Sequence, residues 1–185
     1  MELMEVLRSR RAIRDYNGAQ VSHLVIERLI SAAVLAPSAM NLQPWAFGVL
    51  LDPERIDKYA DRARKWLLEN FEASGHDARA REILHQPEFD IFYHAPAIVI
   101  VLAHSSASQA VEDCCLAAEN LLLAARDEGI GSCWIGFARP WLNLPSTKKE
   151  LGIPSDYEVV APIILGYPRA WPQTHGRKPP EIHWI

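Results

Sequence analysis

Ala36-Pro37-Ser38-Ala39-Met40-Asn41-Leu42-Gln43-Pro44-Trp45 is the stretch on which the fold assignment turns. It joins an amphipathic segment to an apolar one, and Pro37 and Pro44 bound its polar middle. Connections of this kind carry function more often than the scaffold that holds them. Asn41 and Gln43 can each donate and accept, which suits a heteroaromatic ring with alternating N–H and C=O groups. The same side chains also serve in ordinary loops to tie down their own backbone.

Upstream, Ser22 can cap a helix that reaches about Ala36, with Val25, Leu29, Ile30 and Ala33 on its buried stripe. Glu2 to Ser9 reads as a short amphipathic helix with Leu3, Val6 and Leu7 on one side. Downstream, Trp45 to Leu51 reads as a strand that Asp52-Pro53 ends, and Pro53 opens a helix through Tyr59, Trp66 and Leu67 towards Phe71. Ser74 to Asp90 is polar, mixed and helical in part. Ala95 to Ala103 contains the β-branched block Ile98, Val99, Ile100 and Val101, a strand signal. Ser106 to Glu128 reads as a long helix ended by Gly129. Its small residues Ala117, Ala118, Ala124 and Ala125 allow close approach of another helix, in the core or at a subunit interface. Gly131 to Phe137 and Tyr157 to Leu165 are two further strands. Pro168 to Ile185 is too irregular for a core element and too aromatic for a solvated end. Strands separated by helices give an α/β or α+β fold.

The 185 residues suit one domain, at 49% hydrophobic and 23% charged. A net charge of −4 gives no reason to expect nucleic acid or an anionic membrane as partner. The first residues are charged from Glu2 onward and lack a signal-peptide pattern, and the longest apolar run is too short to span a bilayer. A cytoplasmic location is expected. Cys114, Cys115 and Cys133 are too few and too poorly spaced for a disulfide framework, and the helix-borne pair reads as small buried hydrophobes. Neither His85 and His94 nor His175 and His183 have the spacing of two ligands on one helical face, so no metal is expected. Neither a dinucleotide-binding glycine turn nor a P-loop is present.

Two more constellations flank the polar loop. Arg8, Arg10, Arg11 and Arg14 place four cations in seven residues. Such a cluster suits an anion, because guanidinium forks match phosphate oxygens, although Arg8, Arg10 and Arg11 would also complement the negative end of the first helix. Gly129-Ile130-Gly131-Ser132-Cys133-Trp134-Ile135-Gly136-Phe137 surrounds an apolar strand with glycines, which permits a flat ligand or a tight connection.

Together these segments resemble the nitroreductase family of flavoproteins. The matching pieces are Arg10 to Arg14, Ala36 to Trp45, the long helix leading into Gly129 to Gly136, and the tail cation Arg177 before prolines. Their order and spacing make the likeness specific, and Pro-Ser-x-x-Asn-x-Gln-Pro-Trp is the strongest part. The resemblance implies an α+β fold whose central, mainly antiparallel sheet is flanked by helices. It also implies an intertwined homodimer with an exchanged C-terminal tail and FMN at the interface. Arg10 and Arg11 are then phosphate and ribityl contacts, and Arg14 is the cation near the N1–O2 edge of the ring. Pro37, Ser38, Ala39 and Asn41, with Gln43 beside them, resemble the loop that the partner contributes. Ile135 and Gly136 hold the position facing N5, and Arg177 completes the phosphate site.

Two departures from the family stand out. Ala12 replaces the serine that commonly follows the first arginine pair, which removes a hydroxyl contact to the phosphate. No residue between Ser74 and Asp90 matches the side chain that members often offer to the pyrimidine edge. The implied activity is NADH- or NADPH-dependent reduction of a nitroaromatic, a quinone or another flat acceptor, with Arg14 stabilising the charge that develops at N1–O2. The alternatives are a flavin-binding module without turnover, or a divergent flavin reaction such as dehalogenation.

Overall fold

From the N-terminus the chain forms α1 (Leu3–Ser9), α2 (His23–Ala33), β1 (Trp45–Leu50), α3 (Pro53–Glu69), α4 (Ala78–His85), β2 (Ala97–His104), α5 (Ala110–Asp127), β3 (Gly131–Trp134), α6 (Arg139–Leu142), α7 (Pro145–Leu151) and β4 (Tyr157–Gly166). This computed structural model describes residues 1–73, 75, 77–173 and 176–185. Ser74, His76, Thr174 and His175 lie outside the described residues, and with them the first residue of the polar stretch and one histidine of the tail.

The four strands form one sheet in the order β1-β2-β4-β3, and every neighbouring pair is antiparallel. The expected α+β fold with a mainly antiparallel sheet between helices is therefore present. β2 and β4 lie in the middle, which explains their composition. Ile98, Ile100 and Leu102 face one core with Ile56, Ala63 and Leu67 of α3. Ala97, Val99 and Val101 face the other, with Leu29 of α2 and Ala117, Ala118 and Leu121 of α5. Both faces are covered, so β2 reads as a continuous apolar run, whereas a half-exposed antiparallel strand would alternate. The small residues of α5 serve close packing: Ala117, Ala118 and Ala125 are buried, and Asn120 Nδ2 donates to the Ala32 carbonyl of α2 at 3.3 Å.

Several boundaries differ from the sequence reading. Ser22 does cap α2, accepting from the Val25 N–H, but the helix ends at Ala33, and Ile26 joins its buried stripe while Ile30 is half-buried. β3 stops at Trp134 and the chain turns into a 3-10 segment at Gly136–Ala138. α5 begins at Ala110, after a turn. On α1 only Val6 is buried, while Leu3 and Leu7 stand 66% and 44% exposed. No helix among the described residues is long and apolar enough to cross a membrane.

Candidate functional site

After α1 the chain leaves the helix and runs beside β3. Ala12 forms a parallel bridge with Ser132, and the Ile13 N–H donates to the Ser132 carbonyl at 2.9 Å. The buried Tyr16 hydroxyl donates to the Ile13 carbonyl at 2.7 Å. Two glycines admit this segment: a Cβ at Gly131 would lie 2.8 Å from Ile13 Cγ2, and one at Gly166 would lie 2.6 Å from Tyr16 Cδ1. With Ile13 and Tyr16 pointing inward, Ala12 and Arg14 are left exposed. Arg10 is half-buried, its Nε 3.7 Å from Glu119. Arg11 folds back so that Nη1 donates to the Arg10 carbonyl at 2.6 Å. The Arg11 Nε is buried without a partner among the described residues.

The Arg14 guanidinium lies over the Tyr93 ring, 5.6 Å from its centroid. Tyr93 and His94 sit in left-handed backbone conformations (φ +54° and +51°), held by Asp90, whose carboxylate accepts from the N–H groups of Phe92 and His94. Strained backbone of this sort persists only where surrounding contacts enforce it. Burial pushes the Tyr93 phenol above its ordinary pKa, and Arg14 partly offsets that. Burial likewise raises the Cys133 thiol against the pull of Arg14 and Arg10. No carboxylate among the described residues pairs with Arg14; Asp15 beside it bonds Arg169 at 3.1 Å.

Arg14, Ile91, Tyr93, Trp134, Ile135 and Gly136 line a cavity of about 230 Å³. The Ile135 N–H is committed to the Pro162 carbonyl at 2.8 Å. Gly136 is exposed, has open space where a Cβ would stand, and opens the 3-10 segment, so its N–H lacks an intrahelical acceptor. Of this pair, Gly136 alone has a backbone donor to offer a ligand.

The Pro37–Gln43 loop is tied down and strained at once. Ser38 Oγ accepts from the Gln43 N–H at 3.0 Å, and Gln43 Nε2 donates to Asn41 Oδ1 at 3.0 Å. Met40, Asn41 and Gln43 have φ of +51°, +54° and +48°. Each amide thus spends one end on the other, leaving Asn41 Nδ2 and Gln43 Oε1 for a ligand. The Ala39 N–H donates to the buried carboxylate of Asp113. Pro37, Asn41 and Gln43 are exposed, whereas Ser38 and Ala39 are half-buried. Gln43 borders a separate cavity of about 340 Å³ with Trp45, His104 and Tyr157, and that cavity shares no lining residue with the one beside Arg14.

The start of the tail returns to the arginine segment. Ala170 and Pro172 line a cavity of about 320 Å³ with Ala12 and Arg14. Arg126 lies 3.9 Å over the Trp171 ring and donates to Ser9 Oγ at 2.9 Å. Arg177 and Trp184 are exposed, and the Arg177 side chain has no hydrogen bond or ion pair among the described residues. One chain therefore brings Arg14 together with Gly136 and Ile135, but brings neither Arg177 nor the Asn41 loop to them.

Sequence reasoning missed Tyr93, Asp113 and His104, whose roles arise from tertiary contact. Asp57, Asp90 and His94 also converge, with ligand atoms within 4.8 Å of one another. Exposed groups of this kind commonly bind no ion, and Asp90 is already used by two backbone N–H groups. At the main site Arg14, which has no carboxylate partner among the described residues, and the open Gly136 N–H border one cavity as donors for a flat group that carries acceptors and negative charge. The orphaned Arg11 Nε lies three residues upstream of Arg14.

The chain matches the model of the nitroreductase family over residues 7–167. It is 34% identical over 173 residues to an Archaeoglobus fulgidus protein named for NADH dehydrogenase/NAD(P)H nitroreductase activity, covering 91% of this chain and 86% of that one. An iodotyrosine deiodinase of Thermotoga neapolitana is 26% identical, with 90% and 88% covered. Among solved structures, a nitroreductase of Bacteroides fragilis with bound FMN superposes with a TM-score of 0.84 at 28% identity, over 100% of this chain and 99% of that one. The sheet order, the docked arginine segment and these matches agree: the chain belongs to the nitroreductase family.

Proposed function

We propose that this protein is a cytoplasmic, homodimeric FMN-dependent oxidoreductase that takes electrons from NADH or NADPH and passes them to a nitroaromatic, a quinone or another flat acceptor. The carrying observation is the cavity where Arg14, with no carboxylate partner among the described residues, converges with the Gly136 N–H. Relatives that bind FMN or are named for NAD(P)H nitroreductase activity supply the chemical class.

When bound, FMN supplies the two-electron chemistry. The protein's part is to hold it and shape its charge. Arg10 and Arg11, with Arg177 of the exchanged tail, take the phosphate, and the orphaned Arg11 Nε gains an acceptor. Arg14 would serve the N1–O2 edge of the ring, with Tyr93 as the flat support beneath its guanidinium. The Gly136 N–H would be the backbone donor offered to the N5 side. Pro37, Ser38, Ala39, Asn41 and Gln43 approach from the partner. Ala12 keeps its bridge to Ser132 and contributes backbone only.

Two observations favour the dimer. The cavity that Gln43 borders and the Arg14 cavity share no lining residue in one chain, which suits delivery of the loop by a second copy. Leu3, Leu7, Leu35, Met40 and Leu42 are all more than 40% exposed, an apolar surface that a partner subunit would cover. The purified protein should be yellow and should release FMN, not FAD, on denaturation. A protein that stays colourless after incubation with FMN would overturn the proposal. Anaerobic titration with NADH and NADPH then checks the donor.

A second reading, reductive dehalogenation, is favoured by the deiodinase relative. Adjoining Arg14 is a further cavity of about 460 Å³, lined by Arg169 and Tyr93 and by Asp15, Glu88 and Asp90. Charges of both signs around aromatic walls suit a zwitterionic aromatic substrate. Iodide release from 3-iodotyrosine under reducing conditions would distinguish this reading from nitro or quinone reduction.

A further inference from the structure

We propose that the cavity between Trp45 and Tyr157 is the acceptor subsite, and that His104, held between Asp156 and Ser106, supplies the proton that reduction of the acceptor consumes. The proposal rests on the flavin-dependent reading above and adds to it a substrate position and a catalytic residue.

His104 is the last residue of β2, and the β2–β4 register places it opposite Tyr157, the first residue of β4. Its ring stands edge-on to the Tyr157 ring, centroids 5.0 Å apart at 88°. Nε2 lies 3.1 Å from Asp156 Oδ2, and Nδ1 lies 2.6 Å from Ser106 Oγ. The Ser106 N–H also points at Nδ1, at 3.3 Å. The Ser105 N–H donates to the Asp156 carbonyl at 2.8 Å, which fastens the two ends of the device together. A local turn would explain the Ser106 contact alone. It does not explain why a carboxylate from the turn that precedes β4, 52 residues further along the chain, holds the opposite nitrogen.

Leu42, Gln43, Trp45, His104, Ser106 and Tyr157 contribute to the walls of a cavity of about 340 Å³. That volume is at the lower end of small-molecule sites and fits a single substituted aromatic ring between two aromatic walls. The cavity borders the loop proposed to cross to the partner's flavin. A ring seated there lies at the edge of the reactive site, with its polar substituent towards Gln43, Ser106 and His104. The ionisable groups facing His104 are Asp156 and the Tyr157 phenol; Glu158, next on β4, is taken by Arg139 at 2.8 Å.

The chemistry requires such a donor. Conversion of a nitro group to nitroso takes two electrons and two protons and releases water, and conversion of a quinone to its hydroquinone takes the same two electrons and two protons. The reduced nicotinamide supplies two electrons and one proton equivalent, so one proton must come from elsewhere. In the proposed step the Ser106 O–H bond breaks as a new O–H bond forms on the acceptor oxygen. Nδ1 accepts from the Ser106 N–H in the neutral ring. Once solvent protonates it, the Nδ1–H turns to Ser106 Oγ and passes its proton there, and solvent reprotonates His104 for the next cycle. Histidine suits this work because it exchanges protons near neutral pH.

Benzoate, a flat anion that the enzyme cannot reduce, tests the subsite in FMN-free protein. It should shift the imidazole NMR signals that disappear in His104→Gln, and Trp45→Phe should weaken that response. In the yellow holoprotein, His104→Gln should leave the rate of bleaching by NADH unchanged and slow reoxidation by 1,4-benzoquinone by about 10²-fold, with loss of the solvent isotope effect on that step. Ser106→Ala, at an exposed position, should reproduce the slowing and serves if the His104 variant does not fold. Imidazole signals that ignore benzoate, or a yellow variant that reoxidises at the wild-type rate, would overturn the proposal and leave the flavin reading standing. Failure of the flavin reading would instead show as a colourless wild-type protein.

Discussion

Asp113 places both carboxylate oxygens on the backbone N–H of Ala39, at 3.1 and 3.2 Å, across 74 residues of chain. The acid is 5% exposed and lies in the first turn of α5, so the helix that fills one core also fixes the strained Met40–Gln43 turn. Removing the acceptor strands a half-buried donor, at a cost of about 1–3 kcal/mol. Asp113→Ala should lower Tm by roughly 2–12 °C for a chain of this size. It should also weaken FMN binding, because the loop loses its anchor. Asp113→Asn keeps an acceptor and should fall between. Differential scanning fluorimetry with and without FMN checks both, and equal loss in the two variants would contradict a hydrogen-bonding role.

Gly166 carries the second anchor. A Cβ there would sit 2.6 Å from Tyr16 Cδ1 and 2.8 Å from Pro96 Cδ, and both of these residues are buried. Overpacking of this kind costs about 1–3 kcal/mol. Gly166→Ala should therefore loosen the segment carrying Arg10, Arg11 and Arg14. The expected result is weaker flavin retention together with a fall in Tm, read by gel filtration of the yellow protein. Gly136→Ala, where a Cβ meets nothing, should leave Tm within a degree or two by comparison.

Much of the fold was legible because the signals were local. The β-branched block of β2, the Ser22 cap and the Asp52-Pro53 start each act within a few residues. α6 and α7 were not anticipated. They span four and seven residues, begin around Pro140 and Pro145, and are too short for a helical period to show. The site divides along the same line. The arginine segment and the Asn41 loop could be read because their chemistry is contiguous. Asp113, Tyr93 and the His104–Asp156 pair could not, since each matters through a residue 52 or more positions away. Tyr93 carries a further disguise: a tyrosine at positive φ is set by the Asp90 turn, and nothing in its own identity announces it.

The thiols predict alkaline behaviour. Burial pushes the Cys114 pKa up to about 12, and burial raises the Tyr16 phenol in the same direction. In the unfolded chain a thiol ionises near its ordinary value of about 8.5. Between these values the unfolded state loses a proton that the folded state keeps, so stability is fully present below about pH 8.5 and falls as pH rises towards 12. Urea denaturation at stepped pH should show that decline. Cys114→Ala should flatten it by up to one ionising group, about 1.4 kcal/mol per pH unit. An unchanged slope would mean that Cys114 is reached by solvent in the folded state.

The tail can be tested by removal. Trp171 is pinned under Arg126, whereas every described residue from Gln173 onward is exposed in a single chain, including Arg177 and Trp184. If residues 173–185 cross to a partner, deleting them should weaken FMN binding and loosen the dimer in one step. Size-exclusion chromatography with an absorbance ratio at the flavin band reads both. A truncated protein that remains a dimer with full flavin content would rule out the exchange.

Arg14 offers the test most specific to the flavin. Its charge has no carboxylate partner among the described residues, since Asp15 turns to Arg169 and Tyr93 offers only its ring face and phenol. Two-electron reduction adds negative charge at the N1–O2 edge, and a cation there favours the reduced form. A charge-assisted hydrogen bond in a partly dry site differs between the two states by about 1.5–3 kcal/mol. For a two-electron couple about 30 mV corresponds to about 1.4 kcal/mol, so Arg14→Leu should lower the midpoint potential by about 30–60 mV. Arg14→Lys keeps the charge but loses the fork, and should fall between. Tyr93→Ala removes the support and keeps the charge, so its potential should move less than that of Arg14→Leu while its spread of Arg14 positions grows. A surface role for Arg14 predicts no change in any of the three, and photoreduction against a reference dye separates the cases.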